Sequence, residues 1–184
     1  MKRETWALAA LLAFALGAPA AAAVSVLGGA NAETCSRAAI AGKSDPGSMM
    51  ACSMALDYEA LNPLDRAGTF INRGVMKLRR GAFEDAHGDF DHGIALAPRI
   101  GEGWINRGAM FVGEKRYRDG LEDLNRGLAL GVKEPEKAYF NRGLADEGLD
   151  DETSAYLDYK QALTLKPDWE LPRHELLRFT VTHR

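Results

Sequence analysis

From residue 67 to residue 169 apolar and small side chains recur at steps of three and four, in two blocks per unit, with charged residues filling the gaps. This periodicity predicts paired amphipathic helices. The blocks are copied in tandem. Asn-Arg-Gly stands at Asn72-Arg73-Gly74, again 34 residues on at Asn106-Arg107-Gly108, and again after 35 more at Asn141-Arg142-Gly143. Two residues before each Asn is an aromatic: Phe70, Trp104, Tyr139. Later in each unit come a small residue (Ala86, Gly120, Ala155), an acid (Asp89, Asp123, Asp158) and at once a large side chain (Phe90, Leu124, Tyr159). Each unit is therefore expected to be helix, turn, helix, and the fixed period marks a stacked repeat array.

At these positions the chain resembles the tetratricopeptide repeat (TPR) family, whose unit is an antiparallel helix pair. Pro98 and Pro167 close the first and third units, while Val132 stands at that place in the second. Arg73, Arg107 and Arg142 depart from the family pattern, which often has leucine there. The resemblance implies an all-α, TPR-type helical-hairpin solenoid of about three repeats, 67–100, 101–135 and 136–169. An N-terminal helical hairpin at 33–64 and a capping helix and tail at 170–184 complete the expected domain.

Ahead of the array, Lys2 and Arg3 precede an apolar stretch from Trp6 to Leu16, followed by Ala-rich sequence with Pro19. This reads as an export signal, with cleavage after Ala23 or Ala32. An uncleaved membrane anchor is the alternative, because Trp6 to Gly29 carries no charge. The expected setting is a periplasm, with no membrane span in the mature form. Two cysteines are present, Cys35 and Cys52. An oxidising compartment permits them to pair and an even count leaves no free thiol, so a disulfide stapling two short helices is expected. No histidine neighbours them and the spacing fits no zinc motif, so no metal is expected.

The chain has 23 basic and 26 acidic residues, a net charge of −3, with the two signs interleaved. A nucleic-acid surface would need a concentrated basic face, so none is expected. There is no phosphate loop, serine elbow or metal motif among the four histidines, and neither a catalytic role nor a cofactor is expected. His87 with Asp85, Asp89 and Asp91 is the one cluster of titratable groups, and it reads as solvated surface.

In an antiparallel hairpin the repeated Arg and the Asp sixteen residues later can face each other, giving Arg73 with Asp89, Arg107 with Asp123 and Arg142 with Asp158. A planar guanidinium can take a carboxylate through two bonds. The other reading turns these arginines outward to hold a ligand carboxylate. The resemblance implies a concave wall built from first helices, with Asn72, Asn106 and Asn141 as a ladder able to bind the main chain of an extended peptide. An amide offers one acceptor and two donor hydrogens, which suits that task. Ile71, Val75, Ile105, Ala109, Phe140 and Leu144 are expected on the same wall, with Arg79 at one edge. Otherwise each Asn only ties its helix to a neighbour. The expected function is a peptide- or protein-binding adaptor; the alternative is a structural part of an envelope assembly, docking by its convex face or terminal helix.

Overall fold

The computed structural model describes residues 2–3 and 23–180, with Lys2, Arg3 and Thr180 described by backbone alone. Most of the expected leader, including Trp6, Leu16 and Pro19, lies outside the described residues, as do residues 181–184 of the expected tail with His183. Nine helices run in sequence among the described residues: α1 (Ala30–Ile40), α2 (Pro46–Tyr58), α3 (Pro63–Arg79), α4 (Phe83–Leu96), α5 (Gly101–Gly113), α6 (Tyr117–Leu130), α7 (Pro135–Gly148), α8 (Glu152–Leu165) and α9 (Glu170–Leu176). A short antiparallel pair joins β1 (Lys2–Arg3) to β2 (Phe179–Thr180). No described helix is long and apolar enough to cross a membrane.

Local chemistry sets the helix ends. Asp45 caps α2 by accepting from the Ser48 amide, Asn62 caps α3 through the Asp65 amide, and Asp151 caps α8 through the Ser154 amide. Pro46 and Pro63 follow their caps at the first helical position, where a missing N–H costs nothing. The turn inside each repeat passes through one residue with positive φ: Gly81 at 75°, Lys115 at 62° and Asp150 at 63°. These three hold one register in successive units, and only the first uses the residue type to which that conformation is free.

The hairpins α3·α4, α5·α6 and α7·α8 stack, with α1·α2 packed against the first of them and α9 against the last. The third residue of each Asn-Arg-Gly triplet explains itself here. A Cβ at Gly74 would stand 2.7 Å from the Phe90 ring, one at Gly108 would stand 2.9 Å from Leu124, and one at Gly143 would stand 2.7 Å from the Tyr159 ring. The large residue that follows each repeated Asp enters the space the glycine leaves. Buried clusters continue along the stack, Val75, Phe90, Met110 and Phe111 in one and Ile105, Val112, Leu124 and Ala138 in the next.

Two boundaries differ from the expectation. The first hairpin begins at Ala30 rather than Glu33, so the candidate cleavage point after Ala32 falls inside α1, where that side chain is wholly buried. The capping helix is short and ends at Leu176. Beyond it Phe179 packs on Tyr156 and Tyr159, closing the last repeat. Arg178 lies under this cap and pairs with Glu147 and Glu175, while the Tyr159 hydroxyl donates to Glu147 at 2.7 Å.

Candidate peptide groove

Each repeat arginine is held in a fixed fork. Arg73 donates from Nε and Nη2 to the two carboxylate oxygens of Asp89 at 2.9 and 2.8 Å. Arg107 does the same to Asp123 at 2.7 and 3.0 Å, and Arg142 to Asp158 at 2.6 and 2.7 Å. Each guanidinium also lies over the aromatic three residues before it, Phe70, Trp104 or Tyr139, at 5.6, 5.1 and 5.1 Å from the ring centroid. The remaining Nη1 reaches back to the preceding hairpin: Arg73 to Ser53 Oγ, Arg107 to Asp91, Arg142 to Asn125 Oδ1. The bonds to Asp123 hold the Arg107 guanidinium well above its ordinary pKa, and Asp158 raises that of Arg142. These side chains are committed within the solenoid, with none turned outward for a ligand.

The Cys35 and Cys52 sulfurs are bonded to each other, joining α1 to α2. Because Ser53 on α2 accepts from Arg73 as Asp91 and Asn125 do from the later arginines, the stapled hairpin stands in the stack as a preceding unit. His87 lies 3.7 Å from Asp91 and edge-on to Phe111, and His92 stacks on Phe70; among the described residues no group of three such side chains is arranged to hold a metal.

The expected apolar wall needs correction. Ile71 and Ile105 are fully buried, Ile71 against Gly93 and Gly103 and Ile105 against Gly127, between the second helix of their own unit and the next unit. Phe140 lies against Tyr159 and Trp169, Val75 is in the core with Phe90, Leu144 is half-buried among core residues, and Ala109 is buried. The residue beside each asparagine is turned roughly 100° around the helix, which aims it at the second helix instead of the wall. Arg79 donates to the Ala39 carbonyl at 2.9 Å, at the edge where α1 meets α3.

The asparagines remain at a common register on the first helices, which pack side by side. Asn72 is occupied. Its Oδ1 accepts from the Val24 amide at 2.8 Å and its Nδ2 donates to the Val24 carbonyl at 2.9 Å. One carboxamide thus satisfies both polar groups of one residue in an extended segment. Asn106, one unit on, is fully buried, and neither its Nδ2 nor its Oδ1 has a hydrogen-bond partner among the described residues. Asn141 sits at the same register on α7 and is also buried. The sequence pattern gives the three asparagines their common register but not what Asn72 holds. The local trace was Gly68, a glycine where the next units carry Glu102 and Lys137.

Solved structures supply the comparison. Superposition matches the Arabidopsis OM64 TPR domain over 64% of this chain and 96% of that one, with 21% identity and a TM-score of 0.60. The fold is the TPR solenoid. MamA residues 41 to the end, from Desulfovibrio magneticus RS-1, match over 80% of this chain and 82% of that one at 20% identity and TM-score 0.63. The second TPR domain of human RPAP3, in complex with the HSP70 peptide SGPTIEEVD, matches over 63% and 96% at 24% identity and TM-score 0.57. No family model and no curated protein matches the sequence.

Proposed function

We propose that this protein is an exported, non-catalytic adaptor that binds an extended peptide of a partner protein in the concave groove of its TPR units. The observation that carries this reading is the Asn72 carboxamide holding both the N–H and the C=O of Val24. It supports the reading because one carboxamide at this register takes up both polar groups of an extended residue. Such recognition reads the backbone and leaves side chains to secondary pockets, so it suits partners that share extension more than sequence. A TPR domain of human RPAP3 holding an HSP70 peptide supports the same use of the fold. Export is supported by the charged and apolar leader pattern and by the Cys35–Cys52 bond, which an oxidising periplasm would maintain.

Photocrosslinking in the cell envelope tests the reading, with the crosslinkable residue at Glu102, one turn before Asn106 on α5, and a control at Glu122 on the second helix of the same unit. A discrete partner captured from Glu102 and absent from Glu122 is the expected result. Capture from Glu122 alone would replace the groove with a docking face on the outer helices and favour a structural envelope component.

A further inference from the structure

The segment that Asn72 holds is more than one residue long, and the fold is shaped to receive it. Val24 and Val26 turn toward the protein while Ser25 and Leu27 turn out, the period of a half-buried strand. The Ser36 hydroxyl on α1 donates to the Val24 carbonyl at 2.9 Å and lies 3.3 Å from the Val26 amide, which donates to it. The Leu27 amide reaches Asp65 Oδ1 on α3 at 3.3 Å. Asp65, Gly68 and Asn72 fall at steps of three and four on one face of α3, so the segment runs antiparallel along that helix. The lengths agree, since seven helical residues rise about 10.5 Å and three extended ones about 10 Å.

Gly68 is the position that admits it. A Cβ there would stand 2.8 Å from Val26 and 3.0 Å from Val24. Glycine inside a helix is unfavourable, and the same register in the next units carries Glu102 and Lys137. Among the described residues, the first helix along which an extended segment runs is the one with glycine at this place. Lys133, which precedes α7, reaches back to Ser25 Oγ at 3.3 Å, so the segment's outer edge faces across the groove toward the third unit.

We propose that residues 24–27 are an intramolecular ligand that fills the first register of the groove, leaving a partner's extended chain to be read at Asn106 unless it displaces them. The inference rests on the peptide-groove reading for its consequence, but the occupancy itself is tested without any partner. Asn106, buried and with neither carboxamide atom hydrogen-bonded among the described residues, stands at the register where Asn72 is satisfied and is the next place a main-chain N–H and C=O would be taken up.

The test uses the full chain as recovered after export, its N-terminus read by intact mass, with amide hydrogen exchange followed on residues 23–29. The expected result is a chain that retains Val24 to Leu27, with the Val24 and Val26 amides protected and Asn72→Ala accelerating Val24 exchange at least about tenfold, the factor that one or two lost hydrogen bonds carry. A labelled acetyl-Ala-Val-Ser-Val-Leu-Gly amide serves as the probe in trans. It should bind the Val24→Asp/Val26→Asp protein at least about tenfold more tightly than the parent, as expected when a competitor is removed, and adding Asn72→Ala should abolish that gain. Circular dichroism of each variant confirms the fold. A mature chain beginning at Glu33, unprotected Val24 exchange in the parent, or equal probe binding to parent and folded double variant would each overturn the proposal. Failure to crosslink a partner from Glu102 would strike only the adaptor reading.

Discussion

Arg107 and Asp123 are joined by two parallel hydrogen bonds between the first and second helices of the middle repeat, and the Asp123 carboxylate is almost completely buried. Removing the guanidinium leaves that carboxylate without its charged partner. Arg107→Ala should therefore lower unfolding free energy by about 3 kcal/mol, toward the lower end for breaking a buried pair. Asp91 also accepts from Arg107, but it is half-exposed, and Asp91→Ala should cost less than about 1 kcal/mol. Urea unfolding of the two variants beside the parent measures both; equal losses would mean that the intra-repeat bridge contributes no more than the surface contact.

The turn of the middle repeat is strained where that of the first is not. Lys115 adopts a φ of 62°, the conformation that Gly81 takes one unit earlier at 75°. A non-glycine residue there costs about 1 kcal/mol. Lys115→Gly should accordingly raise the thermal midpoint by a few degrees, about 2–4 °C per kcal/mol for a chain of this size. Gly81→Lys should lower it by a similar amount. Opposite signs at equivalent positions are the distinguishing outcome.

The array itself was legible because its constraints recur. Arg-to-Asp pairs and glycine-to-large-residue contacts reappear at each period, so one wrong alignment would spoil three units at once. What a single copy carries was harder to read. Ile71 and Phe140 sit one position from the asparagines, and the rotation between adjacent helical residues is enough to carry them from the groove into the core. Residues 24–27 lie outside the period altogether, and their partners Ser36, Asp65 and Lys133 come from three distant places in the chain. Gly68 was the one local trace, a glycine where its repeat mates are charged.

Asp146 supplies a pH dependence. Burial, and next the neighbouring Asp158 carboxylate, push its carboxyl up to about 6 from an ordinary 3.8. A raised folded-state value means the folded protein binds this proton more tightly than the unfolded chain. The stabilisation is fully present below about pH 4 and lost as pH rises through about 6. Asp146→Asn removes the titration. Relative to the parent, it should gain on the order of 2 kcal/mol on going from pH 4 to pH 7. Denaturant unfolding at the two pH values reads this directly, and a pH-independent difference would show that the group titrates normally.

Asn106 sets stability against binding. Its carboxamide is fully buried with both polar atoms unpartnered among the described residues, an arrangement that costs about 1–3 kcal/mol until something fills it. Asn106→Leu is close in size and asks for no hydrogen bonds. The variant should unfold at higher urea, gaining about 1 kcal/mol, and should lose the partner captured from the groove. Capture is read from Glu102, one turn earlier on α5, so the substituted position carries no crosslinker. A variant both less stable and unimpaired in capture would mean that the amide is satisfied where it stands and that the groove is read elsewhere.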